Sequence, residues 1–170
     1  MCSAKVYIKV NERIDIKMSN LKSSEESAVR FAKLMAEMYY FMAEEMVERM
    51  GKENGKEAIL SAVNKFGEAR VKAIKNEARE KGMDENDPRT YFTIRDMPSN
   101  GWKSNPDDPT ETTYCPMEDV WAQYGENGME LGYLYCQIDH VLFKGFGIKL
   151  ERPYCIAKGD KICKFDLKKA

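Results

Sequence analysis

Residues 23–50, SSEESAVRFAKLMAEMYYFMAEEMVERM, decide the fold class. Ser23, Ser24 and Ser27 are N-cap candidates, and Glu25 and Glu26 stand where acids favour a helix start. Phe31, Met35, Met38, Met42, Met46 and Met50 then recur at steps of three and four, the spacing of one helical face, and Gly51 is a stop signal. The stripe is expected to pack against a second helix over residues 53–81, whose apolar side carries Ile59, Val63, Phe66, Ala73 and Ile74 and which Gly82 ends. A minority reading makes the thioethers, Met42 among them, a deformable wall of a ligand pocket.

Downstream the period changes. Residues 91–96, YFTIRD, are rich in aromatic and β-branched side chains and predict a strand. Residues 97–109 hold three prolines, Gly101 and Trp102, and predict a long loop that can close over a site. A short strand is expected at 111–115, a helix from Pro116 to near Gly125, and a further helix through Cys136 that Gly145 and Gly147 stop. Residues 148–157 and 161–167 read as a C-terminal hairpin. The expected architecture is α+β, with long N-terminal helices packed on a small antiparallel sheet of about four strands, in a single domain spanning 1–170.

Composition narrows the function. The chain has 170 residues with Lys+Arg 27 against Asp+Glu 28 and a net charge of -1, so no basic footprint for nucleic acid is visible. No run is apolar and long enough to cross a membrane. Residues 1–10 carry Lys5 and Lys9 without a long apolar stretch, so no signal peptide is expected. Five cysteines, an odd number without a secretion signal, point to reduced thiols in a cytoplasmic setting, with Cys2 and Cys115 read as small buried apolar residues.

The chemistry-bearing residues concentrate near the C-terminus. In GMELGYLYCQIDHVLF, residues 128–143, Cys136, Asp139 and His140 (the one histidine of the chain) share a helical face by spacing. Cys155 and Cys163 flank the turn Lys158-Gly159-Asp160-Lys161. A two-residue turn at Gly159-Asp160 sets Ile156 opposite Cys163. A three-residue loop sets Cys155 opposite Cys163, where both can hold one metal. Arg70 lies on or beside the apolar face of its helix and, with Arg95 as the alternative, suits a substrate carboxylate.

The strings YCPMEDVWAQYG (114–125), LGYLYCQIDHVLFKGF (131–146) and GDKICKF (159–165) resemble the L-2-amino-thiazoline-4-carboxylate hydrolase family, and Phe66-Gly67 with Arg70 suits its N-terminal half. GDKICKF also resembles the tail of 4-vinyl-reductase-type ligand-sensing domains, whose fold is shared with vesicle-trafficking proteins. In those sensors cysteines eight positions apart hold zinc, as Cys155 and Cys163 are spaced here, although Arg152 stands where the sensor pattern has glutamate.

The first resemblance implies the opening of a cyclic amidine-thioether ring to an N-carbamoyl-cysteine. That reaction needs an activated nucleophile, a base and charge stabilisation. Cys136, Asp139, Cys163 and His140 are the candidate catalytic residues, a thiolate being the reactive form of cysteine. Arg70, Trp102 and Met42 are the candidate substrate contacts. Zinc is a candidate cofactor, with Cys136, Cys155 and Cys163 as its ligands. The alternative is a non-enzymatic small-molecule binding or sensing domain with a structural cysteine-zinc site. The expected partner is a small-molecule ligand or substrate, with a homodimer allowed.

Overall fold

A computed structural model describes residues 20–170, so Cys2 and residues 1–10 lie outside the described residues. The two long helices stand where periodicity places them, α1 at Ser27–Met50 and α2 at Lys52–Glu80. The buried face of α1 is a different one from that expected. Ala32, Ala36, Tyr40 and Ala43 turn inward, whereas Phe31, Met38 and Met42 are 72%, 61% and 59% exposed. Small side chains let neighbouring backbones approach closely, and α1 packs against α2 and Pro116–Trp121 (α4, below) across that stripe. Met35 and Met46 reach only the edge of the core. The expectation that Met42 lines a pocket is corrected by this rotation.

Residues 91–96 are the second correction, because they form no strand and their first half, 91–93, ends a short helix, α3 at Pro88–Thr93. The side chain of Asp87 caps it, accepting from the Arg89 amide at 2.8 Å, and Pro88 occupies the first helical turn. That local start signal outweighs the β-forming composition that follows it. Two strands come next, β1 at Lys103–Ser104 and β2 at Glu111–Tyr114. They precede α4 (Pro116–Trp121), α5 (Gly125–Tyr135) and α6 (Ile138–Gly145). α5 crosses directly over Trp121. A Cβ at Gly132 would lie 2.3 Å from that ring, so only glycine fits there.

The C-terminal stretch holds β3 (Ile148–Glu151), β4 (Cys163–Lys164) and β5 (Asp166–Lys169). The expected hairpin is replaced by two antiparallel sheets, one of order β1-β2-β4 and one of β3-β5. β4 leaves the 148–157 strand to pair with β2, setting Thr112 opposite Cys163, while β5 pairs with β3 from Ile148↔Lys169 to Glu151↔Asp166. Between them Ile156–Lys158 forms a single 3₁₀ turn, which Gly159 ends at φ 94. Asp160 closes this loop by accepting from the Cys155 amide at 2.8 Å. The class is α+β. Among the described residues no helix is long and apolar enough to cross a membrane.

Candidate active site

Four separate elements deliver the central cluster. Glu118 comes from the first turn of α4, Cys136 from the break between α5 and α6, Cys155 from the start of the 3₁₀ turn and Cys163 from β4. Donor atoms of Glu118, Cys136 and Cys155 all lie within 4.8 Å of one another. Cys163 Sγ is 3.6 Å from Glu118 Oε1 and 4.0 Å from Cys155 Sγ, and it accepts from the Ile156 amide at 3.3 Å. The 3₁₀ turn therefore brings Cys155 and Cys163 together without either of the simple hairpin loops. Cys155, Cys163 and Glu118 are all buried.

Burial sets the charge state of this group. The Glu118 carboxyl is pushed up to about 7 by burial first and by the neighbouring Cys155 second. The Cys155 thiol is pushed down by hydrogen bonds from Cys136 and Cys163, with the Arg152 guanidinium adding to the effect. The thiols of Cys136 and Cys163 are pushed up by those same hydrogen bonds and by burial. The hydrogen bonds among the three thiols therefore favour loss of the proton at Cys155 over loss at Cys136 or Cys163.

Glu118, Cys136 and Cys163 of the cluster line the floor of a cavity of about 510 Å³, a volume suited to a small ligand. Cys136, Cys163, Glu118 and Asp139 line it, as do Arg70, Arg152, Tyr135 and Trp102. Asp139 is gripped by Arg152 Nη2 at 2.6 Å, and the same nitrogen donates to the Cys136 carbonyl at 3.0 Å. Burial raises the Asp139 carboxyl against the opposing pull of Arg152 and Arg70. Arg70 makes a two-pronged contact with Asp96, at 2.7 and 2.6 Å, so its charge is already matched within the protein. Arg95 also lines the cavity, exposed at its edge, with its guanidinium 5.4 Å from the Phe92 ring centroid. Trp102 donates from Nε1 to Cys115 Sγ at 3.2 Å, which fixes its indole at the wall.

The structure separates two sequence candidates from this group. His140 belongs to a shallow groove on the other side of α6, beside Leu60 and Asn64 of α2. The helical face assumed for Cys136, Asp139 and His140 does not exist as one surface, because the chain turns between α5 and α6 at Cys136 and Gln137. Met42 is on the exposed side of α1. Conversely, Glu118 and Arg152 enter the site without having been singled out. Glu118 carried a signal: it is an acid flanked by Met117, Val120 and Trp121 in PMEDVW, a segment that must be buried.

The donor set fits a metal. Glu118, Cys136 and Cys155 form a donor group of a size and kind that suits zinc, and Cys163 Sγ lies beside it, 4.0 Å from Cys155 Sγ, near the roughly 3.8 Å edge of a tetrahedron with Zn–S bonds near 2.3 Å. Glu118 Oε2 is buried with no hydrogen-bond partner, as a carboxylate oxygen awaiting a ligand would be. The chain also matches the family model described as L-2-amino-thiazoline-4-carboxylic acid hydrolase, over residues 31–167. No curated protein and no solved structure matches it, and the likeness to 4-vinyl-reductase-type domains finds no support in these comparisons.

Proposed function

The chain belongs to the L-2-amino-thiazoline-4-carboxylic acid hydrolase family, and from that premise we propose that it opens a cyclic amidine-thioether carboxylate in the cavity above the thiols. The observation that carries this reading is the convergence of Glu118, Cys136 and Cys163 on one cavity that also holds the Asp139–Arg152 pair. Water adds to the carbon between nitrogen and sulfur, and the ring nitrogen takes up a proton. The carbon–sulfur bond then breaks, its electron pair leaving on the ring sulfur, which is protonated as a thiol. The added oxygen loses its last proton and becomes the carbonyl of an N-carbamoyl-cysteine product.

Glu118 suits the base of this sequence. A carboxyl held at about 7 is partly ionised at neutral pH and strong enough to take the proton of an attacking water. Asp139 and Arg152 then shape the charge around the reacting carbon, and the low dielectric of a buried site strengthens their effect. Arg95 is the cavity-edge cation for which no salt bridge is found among the described residues, which makes it the better anchor for the substrate carboxylate than Arg70.

A second reading rests on the donor geometry. Cys136, Cys155, Cys163 and Glu118 would hold zinc, which when bound supplies Lewis acidity to water or to the substrate. A reduced, cytoplasmic setting suits the free thiols.

The test combines zinc analysis of reduced protein with an assay of thiol release from 2-amino-thiazoline-4-carboxylate. Release that disappears in Cys163→Ser, with folding intact, supports the ring-opening reading. Binding of the compound without any release would instead make the protein a carrier or sensor.

A further inference from the structure

Beside the reactive cluster, two other groups in the cavity lack partners. Tyr135 is buried, 7% exposed, and its hydroxyl makes no hydrogen bond. The Arg152 side chain is 4% exposed; its Nη2 serves Asp139 and the Cys136 carbonyl and its charge acts on Cys155, while its Nε has no hydrogen-bond partner among the described residues. Both residues line the cavity.

The groups that act on the Tyr135 hydroxyl belong to the cavity lining. On the core side the ring meets Tyr39 and Trp121, with centroids 5.0 and 5.7 Å away. The charged and thiol groups acting on the hydroxyl are Arg70, Asp139, Cys136 and Asp96, and every one of them lines the cavity. Phenylalanine would pack against Tyr39 and Trp121 as well and would avoid burying an unpaired polar group, which costs free energy. The oxygen at this position therefore asks for a partner that the protein does not supply.

Both unpartnered groups offer hydrogens. Burial keeps the Tyr135 phenol protonated, and a guanidinium can only donate. The phenol oxygen can also accept, but a partner shared with the guanidinium must be an acceptor and not a cation. We propose that the Tyr135 hydroxyl and the Arg152 Nε–H form a donor subsite of the cavity that receives an oxygen of the bound ligand. In the ring-opening reading, on which the ligand's identity rests, that oxygen is either the substrate carboxylate or the oxygen newly added to the carbon under attack.

Tyr135→Phe tests the subsite, because it removes one donor and leaves the ring. The melting temperature should stay level or rise, and kcat/KM for ring opening should fall by about 10- to 100-fold, the scale of losing one donor to a reacting oxygen. A loss confined to KM assigns the carboxylate, while a loss in kcat assigns the added oxygen. Unchanged kinetics would overturn the proposal, and so would a drop of several degrees in melting temperature, which would show the hydroxyl bonded within the protein.

A high-resolution crystal structure of the reduced wild-type protein gives an answer that needs no turnover. A water or ligand oxygen within hydrogen-bond distance of the hydroxyl, on its cavity side, supports the subsite. A protein acceptor there would sink it. If that oxygen is present and thiazolines are not opened, the ring-opening reading fails and the donor subsite stands.

Discussion

The floor of the cavity and the outer face of α1 break the usual rule of burial in opposite directions. The floor hides what water normally keeps: Glu118, the thiols of Cys155 and Cys163, and the side chain of Arg152. The outer face of α1 gives water what a core normally keeps: Phe31, Leu34, Met38 and Met42. A buried ionisable group is costly unless something answers it, and here the answers are specific hydrogen bonds at stated distances. An exposed apolar side chain costs far less and is common on folded proteins. The floor is therefore the region where chemistry is held in place, and the methionine face is surface.

The largest expected effect separates the two regions outright. Cys155→Ser removes the thiol to which both other cysteines of the cluster are hydrogen-bonded, a zinc ligand in the second reading, and thiol release should fall below detection. Thiol-release kinetics check it. If the cluster holds zinc, the same variant should also lose metal and melt at lower temperature, because metal binding contributes directly to folding. A Cys155→Ser protein with full activity would reduce the floor to packing.

Glu118→Gln should cost about 100-fold, the usual range for removing a general base. Its pH dependence carries a sign. With the carboxyl raised to about 7, the metal-free wild type gains stability that is fully present below the ordinary carboxylate range near 4.5 and is lost as pH rises through 7. Thermal melts from pH 4 to 8 should show that decline in the wild type and its absence in Glu118→Gln. Parallel melting curves for the two proteins would contradict the raised carboxyl.

Arg95→Ala should raise KM for a thiazoline carboxylate by about 10-fold and leave a neutral amide analogue nearly unaffected, because a charge-assisted contact is lost. Arg70→Ala should affect both ligands alike and lower stability, since it strands Asp96. The reverse pattern would restore Arg70 as the anchor. The smallest effect belongs to Met42→Ser, for which kcat/KM should stay within about twofold and stability within about 0.5 kcal/mol, as for other exposed positions. A larger loss of activity would mean that the outer face of α1 takes part in the site.

The extents of α1 and α2 were legible because helix periodicity and stop glycines act locally along the chain, whereas the expected serine cap is absent, Glu26 standing at the start of α1 without a side-chain capping bond. Cys136, Asp139, Cys163, Arg70 and Trp102, singled out from the sequence, all line the cavity. The helix at Pro88–Thr93 was not legible, because its start signal at Asp87-Pro88 precedes a segment whose composition favours a strand.

Periodicity and composition alone establish two long helices, an α+β class and a set of thiols and carboxylates near the C-terminus. Tertiary packing decides the rest. α1 offers two stripes, one of alanines and one of methionines, and the alanine stripe is buried because it admits a closer approach of neighbouring backbones. Glu118, Cys136, Cys155 and Cys163 meet because β4 pairs with β2 and the chain turns between α5 and α6. That same turn sends His140 to the far side. Spacing along a chain reports neighbours within one helix or strand, whereas a site assembled from four elements depends on contacts between residues tens of positions apart.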